Sequence, residues 1–451
     1  MARTRKKTRP AFRPVNPDAA GIDIGSRFHV VAVPADRDDE PVRSFDSFTA
    51  DLHRLADWLV QCEITTVAME STGVYWMPLY AILDERGIRV VLSNARDVKH
   101  VPGRKSDVSD AQWLQQLHQY GLVRGSFHPS EGFDALRAYL RQRERLVQYA
   151  ASHIQHMQKA LMLMNLQLHH VVADITGRTG MRILRAIVEG ERDPMVLASM
   201  RDTRCKASAE TIAAALEGNY RDEHMLSLCQ SLSLYDTYNT LAAECDASIA
   251  AVLARLRRTD RPIPAATPAK KARRQANEPA FDVRSAVAAV TGVDLTQIHG
   301  IGPTLALRIV GECGTDMAKW PTVKHFTSWL CLAPGTKISG GKVLSSRTRR
   351  SDNRVAALLR IGAVTVGRTD SALGAFQRRL SARIGKAKAI TATARKLAVL
   401  VYHLLKHGKA YEDPGAAHYE ERHRARVVRN LARRAEALGF RVEPALEPVV
   451  S

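Results

Sequence analysis

The sequence contains few of the features that mark membrane, secreted or zinc-knuckle proteins. No apolar run is long enough to span a bilayer, and the basic N-terminus is not followed by the apolar segment of a secretory signal. The six cysteines include no CxxC pair, and their placement gives no sign of an oxidising compartment. We therefore expect reduced, buried thiols in a cytosolic protein that has no membrane partner.

Acidic residues are scarce relative to basic ones. The chain has 46 Asp and Glu against 66 Lys and Arg, a formal net charge of +20. Such an excess predicts a polyanionic partner, because neutralising phosphates releases counterions and drives association. Residues 1–16 are predicted to be a disordered basic arm, for which phosphate binding and simple solubilisation are equally good interpretations. A chain of 451 residues has room for two or three domains.

Residues 17–130 alternate between predicted strands and helices. The predicted strands are Ala19–Ile24, His29–Val33, Val42–Phe48, Thr65–Met69 and Ile88–Leu92. The predicted helices are Asp51–Gln61, Tyr75–Arg86 and Ser106–Tyr120, and glycines follow the last two, as is common at helix ends. Three strands followed by helix and strand in alternation predict a mixed sheet flanked by helices, an α/β fold of the RNase H-like (RuvC-like) type.

Residues 131–258 are predicted to be helical and begin with a heptad repeat. Apolar residues recur every seven positions at Leu140, Val147, Ile154, Leu161 and Leu168. A second series fills most of the other seam, at Leu136, Ala150, Met157, Met164 and Val171, with Arg143 as the exception. About five such repeats favour a coiled coil between chains, and the alternative is one long helix packed within the monomer.

The remaining chain divides by composition. Residues 259–285 are predicted to be a flexible basic linker, because they combine four prolines with the run Lys270–Arg274. A compact, mainly α-helical C-terminal domain is predicted at residues 286–408. The Arg- and Glu-rich residues 409–451 are predicted to be a charged helical tail without recognisable chemistry.

Four acidic residues in the N-terminal domain form a candidate metal site. Asp23 lies inside an apolar strand, Glu70 at the end of another, and Asp107 and Asp110 share one face at the start of a helix. A carboxylate inside a strand is costly unless it is paired or coordinated. The four together predict binding of Mg²⁺ or Mn²⁺, which can activate an attacking oxygen in phosphoryl transfer. Taken singly, Asp107 and Asp110 are better explained as a surface residue and an N-terminal helix charge.

Glycines in the C-terminal domain predict a helix-hairpin-helix motif. Gly300 and Gly302 lie just before a helix predicted at Thr304–Gly311, among apolar residues that suit the packing of such a motif. In this motif the glycine turn lets backbone N–H groups approach a phosphate beside a helix N-terminus. The alternative is that the glycines serve packing alone.

Ser339 lies in a glycine-rich, cationic segment between Lys337 and Lys342. The basic residues that follow are Arg347, Arg349, Arg350, Arg354 and Arg360. A serine hydroxyl among cations can approach a phosphodiester and be activated by a metal or a nearby base. Most loop serines only cap or turn the chain, however, so residue chemistry alone does not single out Ser339.

Several of these motifs resemble the DEDD transposases of the IS110 insertion-sequence family. In the N-terminal domain they are Gly21–Gly25 (GIDIG), Met69–Trp76 (MESTGVYW) and Lys105–Ala111 (KSDVSDA). The hairpin Ile298–Pro303 and the segment Leu332–Gly340 are similar to that family's second domain. The motifs occur at both ends of the chain, in the expected order, around a helical middle.

The resemblance implies a bacterial, nucleoid-associated transposase that cuts and rejoins DNA at element ends and a target site. It implies that Asp23, Glu70, Asp107 and Asp110 bind the divalent metal, and that Ser339 is the nucleophile of a transient phosphoserine link. A homo-oligomer, dimer or tetramer, and a non-coding guide RNA encoded by the element are implied as partners. The residues expected to contact nucleic acid are Lys105, Gly300, Gly302, Lys337, Lys342, Arg347, Arg349, Arg350 and Arg354.

Three other interpretations are compatible with parts of the sequence. The Asp23-Ile24-Gly25 turn is similar to the phosphate loop of actin-like ATPases and sugar kinases, but the chain has no second Asp-x-Gly loop of that kind. A RuvC-like resolvase, a structure-specific nuclease, would need the four acids but neither the heptads nor Ser339. A nucleic-acid-binding scaffold without catalysis would need none of the acids.

Overall fold

The computed structural model describes residues 13–71, 73–93, 107–127, 132–258, 277–409 and 411–443, without the side chains of residues 107–109. The chain divides into two units, residues 1–128 (unit 1) and residues 129–451 (unit 2). Across the described residues, no helix is both long and apolar enough to cross a membrane.

Unit 1 is a five-stranded mixed sheet with helices on both faces. Its strands are β1 (Ala19–Ile24), β2 (Phe28–Ala32), β3 (Val42–Asp46), β4 (Thr66–Glu70) and β5 (Arg89–Ser93), in the spatial order β3-β2-β1-β4-β5. Its helices are α1 (Thr49–Gln61), α2 (Trp76–Glu85) and α3 (Asp107–Gln119). The first three strands are antiparallel neighbours, whereas β1, β4 and β5 are parallel. The predicted α/β class is therefore confirmed for this unit.

The central strands of unit 1 are apolar because both of their faces are covered. One face packs Ile22 and Met69 against Leu55 and Leu59 of α1 and Leu79 of α2, in a single core cluster. The opposite face packs against α3, which contacts β1, β2 and β4. The two central strands, β1 and β4, thus run through the middle of the unit and carry Asp23 and Glu70 near their C-terminal ends.

Unit 2 begins with a long helical hairpin. Helices α4 (Phe133–Leu163) and α9 (Asp222–Arg255) lie along each other and run antiparallel, since Arg143 contacts Asp246 and Tyr149 contacts Tyr238. Four short helices connect them: α5 (Leu168–Val171), α6 (Arg178–Glu189), α7 (Pro194–Ser199) and α8 (Ala209–Ala215).

The apolar heptad positions of α4 are covered by the same chain. Met157 and Leu161 belong to a core cluster that α5 to α9 complete, and Ile154 packs against its edge. Leu140 contacts Gly311, on a helix that follows later in unit 2. The structure therefore matches the alternative of a long helix packed within the monomer, and a coiled coil between chains is not shown.

The rest of unit 2 is a helical cluster that carries one small hairpin. Its helices are α10 (Val283–Thr291), α11 (Pro303–Cys313), α12 (Val323–Trp329), α13 (Arg354–Val366), α14 (Ala372–Ile384), α15 (Lys386–His407) and α16 (Gly415–Ala437). Two strands, β6 (Lys337–Ser339) and β7 (Lys342–Ser345), form the hairpin. Helix α15 buries one face and contacts α12, α13 and α14, and its Tyr402 hydroxyl donates a hydrogen bond of 2.8 Å to the Trp320 carbonyl.

Candidate functional site

Asp23 and Glu70 occupy corresponding positions on neighbouring parallel strands. The register pairs Ile22 of β1 with Met69 of β4, so each acid is the next residue on its strand. Side chains alternate between the faces of a sheet. The two carboxylates therefore belong to one face, opposite the fully buried Ile22 and Met69, and both are partly buried.

Helix α3 lies close to this face because β1 carries a glycine two residues before Asp23. A Cβ atom at Gly21 would lie 2.3 Å from the backbone nitrogen of Gln115 and 2.4 Å from the carbonyl oxygen of Ala111. The Gln115 side chain donates a hydrogen bond of 3.2 Å to the carbonyl of Ala19. Helix α3 thus runs antiparallel to β1, with its N-terminal end towards Asp23.

Asp107 begins α3, one turn before Ala111. The rise of about 6 Å over those four helical residues is close to the roughly 6.6 Å that two strand residues span from Gly21 to Asp23. The backbone of Asp107 is thus at the end of α3 that is nearest to Asp23. The side chain of Asp107 is outside the described residues. Asp110 is exposed. Among the described side chains, no group of three or more His, Cys, Asp or Glu residues is placed to hold a metal ion.

A buried polar contact that the sequence analysis missed fixes α3 against the sheet. His118 of α3 and Thr66 of β4 are buried, and the His118 Nε2 atom lies 2.9 Å from the Thr66 hydroxyl. That hydroxyl donates a hydrogen bond of 3.0 Å to the Arg89 carbonyl, so its oxygen accepts from a neutral His118. Burial, together with the charge of Arg89, lowers the pKa of His118 to about 4. The spacing of His118 from Ala111 and Gln115, seven and three residues, was the available sequence signal.

Ser339 lies on a β-hairpin, whereas the sequence predicted only a glycine-rich loop. Gly340 and Gly341 form the two-residue turn, with φ of +54° and +75°. Positive φ at both positions is required by the tight turn that best fits the twist of two strands. The Gly-Gly pair between two short segments, Lys337–Ser339 and Lys342–Ser345, was the signal that predicts a hairpin.

The two faces of this hairpin differ in chemistry. Ser339 is paired across the strands with Lys342, and Ile338 with Val343. Residues opposite each other in an antiparallel pair share a face. Ser339 and Lys342 therefore present an exposed hydroxyl beside an exposed cation. The other face presents Ile338 and Val343, which are 64% and 61% exposed.

The other predicted nucleic-acid contacts fall into distinct environments. Lys337, Arg347 and Arg350 are exposed, and Arg349 is exposed but donates a hydrogen bond of 3.2 Å to the Ser328 carbonyl. Lys105 lies outside the described residues.

Arg354 takes part in an ion-pair network between helices. Its guanidinium lies 2.9 Å from Glu144 of α4 and 3.8 Å from Glu312 of α11. Glu312 also receives two hydrogen bonds from Arg141, of 3.0 and 2.8 Å. The network lines a cavity of 280 Å³ between α4, α11 and α13. Arg354 therefore has a structural role within unit 2.

The two glycines of the predicted helix-hairpin-helix also differ. Gly300 has φ of +88°, and a Cβ atom there would lie 2.5 Å from the Gly362 carbonyl oxygen on α13. Gly302 has no such neighbour and stands at the N-terminal end of α11. A three-residue 3₁₀ helix, Leu295–Gln297, precedes the turn. Gly300 thus has the packing role that was the alternative, Gly302 remains open to a ligand, and the motif itself is unconfirmed.

Comparisons with known proteins give two family matches. Residues 20–165 match the family DEDD_Tnp_IS110, described as a transposase, and this range includes the four acids. Residues 294–378 match a family described as Transposase IS116/IS110/IS902, and this range includes Ser339. No curated protein matches the chain.

Proposed function

This chain belongs to the IS110 family of transposases, and from that membership we propose a specific chemistry for its DNA recombination. Asp23, Glu70, Asp107 and Asp110 of unit 1 would hold divalent metal, and Ser339 of unit 2 would be the nucleophile. The observation that carries the proposal is the strand register, which makes Asp23 and Glu70 neighbours on one sheet face.

The donor chemistry of the acids fits a hard divalent cation. Mg²⁺ and Mn²⁺ prefer carboxylate oxygens, and Mg²⁺ usually keeps waters and substrate phosphates as further ligands. Asp23 and Glu70 supply two carboxylates on one face of the sheet. Because α3 packs closely against Gly21, its N-terminal residue Asp107 is at the end of the helix nearest to them. When bound, the metal would stabilise the negative charge that develops on the attacking and leaving oxygens.

The proposed role of Ser339 is supported by its exposure and by its neighbour Lys342. The Oγ atom of Ser339 would attack a DNA phosphorus, the bond from that phosphorus to a deoxyribose oxygen would break, and the serine proton would pass to that oxygen. Attack by a deoxyribose hydroxyl of another strand would reverse these steps and release the serine. Lys342, paired with Ser339 across the hairpin, would attract the phosphate and stabilise its negative charge.

Two partners belong to the same proposal. A guide RNA from the element and further copies of this chain are supported by the family membership and by the net charge of +20. Exposed cations around Ser339, such as Lys337 and Arg350, suit a nucleic-acid backbone of either kind.

The test is a covalent protein–DNA adduct. The protein would be expressed with its element's flanking DNA, so that any cognate RNA is made, and then mixed with labelled element DNA and Mg²⁺. After quenching in denaturant, a gel reports DNA that remains attached to protein. We expect an adduct from the wild type and none from Ser339→Ala or Asp107→Asn. The control is Ser346→Ala, at an exposed serine of the same basic segment, which should form an undiminished adduct.

The outcomes separate two enzymes. If DNA is cut without an adduct and Ser339→Ala cuts equally well, the serine chemistry is wrong, and the protein is a RuvC-like nuclease that uses water. If Asp107→Asn retains full adduct formation, the metal-binding acids are wrong. Omitting Mg²⁺ or adding a chelator should abolish the adduct and leave non-covalent DNA binding in place.

A further inference from the structure

Helix α16 projects from unit 2 on a narrow base. It spans 23 residues, none of them buried. Among the described residues, its side chains contact α14: Tyr419 lies edge-on to Phe376, and Arg379 contacts Glu420 and donates a hydrogen bond of 2.7 Å to His423 Nδ1. The described residues after His423 are almost all exposed. About three fifths of the helix therefore extends away from α14.

Four arginines form one face of this projecting helix. Their spacings of four, three and four residues place them within a single narrow stripe, which we call the arginine stripe: Arg422, Arg426, Arg429 and Arg433. All four are exposed, and within the described part of the chain none is ion-paired to a carboxylate. The stripe is about 16 Å long at the helical rise per residue.

The opposite face of α16 carries two large apolar residues and one arginine, Arg424. Val428 and Leu431 are 49% and 51% exposed, and they lie across the helix from the arginine stripe. Arg424 and Arg434 also lie off the stripe, on the sides that face α14 and the apolar residues. The arginine stripe is thus the most cationic face of the helix, and no carboxylate among the described residues forms an ion pair with it.

We propose that the arginine stripe binds the phosphate backbone of duplex DNA, with α16 lying along the major groove. Four unpaired guanidinium groups on one face match a row of phosphates in sign and length. The major groove of B-form DNA is about 12 Å wide and admits a helix, whereas that of A-form RNA is deep and narrow. A helix that is free on nearly all sides can enter such a groove. The choice of DNA as partner rests on the proposed function.

The experiment compares two double variants of the full chain that remove equal charge from the same helix. Arg426→Gln with Arg429→Gln changes the stripe, and Arg424→Gln with Arg434→Gln is the control. Gln and Arg have similar helix propensities, and circular dichroism verifies the fold. Binding to a labelled 30-base-pair DNA duplex is measured by fluorescence anisotropy across a salt series, after high-salt purification to remove bound nucleic acid.

Each phosphate contact contributes about 0.9 to the slope of log K against log salt concentration. We expect the stripe variant to lose about 1.8 from that slope and to bind the duplex on the order of 10-fold to 100-fold more weakly at 0.1 M salt. The control should keep the wild-type slope. Equal losses in the two variants would mean general attraction by net charge, and would overturn the proposal.

Two further outcomes would also overturn it. An RNA duplex of the same sequence that loses as much affinity as the DNA would contradict groove entry. An unchanged DNA slope combined with weaker self-association in sedimentation would assign the helix to contacts between copies of the chain. The adduct assay tests the proposed serine chemistry independently of this inference. At saturating DNA the stripe variant should still form the covalent adduct. If the stripe variant has the expected lower slope but the wild type forms no adduct, only the proposed serine chemistry is contradicted.

Discussion

Arg143 and Asp246 form an ion pair inside the α4–α9 hairpin, with an Nε–Oδ1 distance of 2.5 Å and side chains that are 12% and 6% exposed. Asp246 also accepts a hydrogen bond of 3.0 Å from the backbone nitrogen of Ala280. Arg143 donates one of 3.2 Å to the Asn277 carbonyl. The one charged residue in the heptad seam thus joins both long helices to residues 277–280, which lie near the end of the segment predicted to be a flexible linker.

Replacing one partner of this pair should destabilise unit 2 strongly. Arg143→Met leaves the Asp246 carboxylate buried without its cation, which typically costs about 3–5 kcal/mol. The double variant Arg143→Met with Asp246→Leu should recover most of that loss, because no uncompensated charge remains. Urea unfolding of the wild type, both single variants and the double variant measures this. If the double variant loses as much stability as the two single variants together, the Arg143–Asp246 ion pair is not the source of the stabilisation.

The pH dependence of stability should include a contribution from His118. Its pKa is lowered from 6.5 to about 4 in the folded protein, so the folded state resists a proton that the unfolded state accepts. The stabilisation by neutral His118 is therefore complete above about pH 6.5 and is lost as the pH falls towards 4. A shift of that size corresponds to about 3 kcal/mol.

The variant His118→Gln isolates this contribution. Glutamine keeps a hydrogen-bond donor near Thr66 but does not titrate, so the variant should lose less stability than the wild type between pH 6.5 and 4. Hydrogen-exchange mass spectrometry at increasing urea concentrations gives the unfolding midpoints of α3 and β4, and comparing them at each pH measures the difference. Parallel pH profiles for the two proteins would show that His118 does not resist protonation in the fold.

The glycine pair before α11 allows packing to be separated from ligand binding. Gly300→Ala adds a Cβ atom 2.4 Å from Val366 and 2.5 Å from the Gly362 carbonyl oxygen, at a φ of +88°. We expect it to destabilise unit 2 by about 2 kcal/mol or more. Gly302→Ala meets no neighbour within 4 Å and should cost less than about 1 kcal/mol. Thermal unfolding compares the two; equal losses would contradict the packing role of Gly300.

The sheet of unit 1 was predictable because its strands follow simple rules. The predicted strand Ala19–Ile24 has the observed bounds, and α1 ends at Gln61 as expected. Continuous apolar runs indicate strands that are covered on both faces, and glycine after a helix indicates its end. The placement of Asp23 and Glu70 side by side follows from the same parallel topology.

The features that the sequence did not reveal depend on partners far away in the chain. Nothing near Arg143 indicates a carboxylate 103 residues later, and nothing near Arg354 indicates Glu144, 210 residues earlier. Gly300 takes its role from a helix 62 residues further on. An apolar heptad likewise indicates only that one face of a helix is buried against a partner. Here the main partner is α9 of the same chain.

Arg350 and Arg354, four residues apart, should respond to substitution in opposite ways. Arg354 holds Glu144 and Glu312, so Arg354→Gln should lower the stability of unit 2 by about 1 kcal/mol, since the pair is partly exposed. It should leave the salt dependence of DNA binding nearly unchanged. Arg350 is exposed, so Arg350→Gln should leave the thermal midpoint unchanged and reduce the salt slope by about 0.9. Thermal unfolding and anisotropy on both variants measure the contrast. A slope loss in Arg354→Gln without a change in stability would reassign that side chain to DNA.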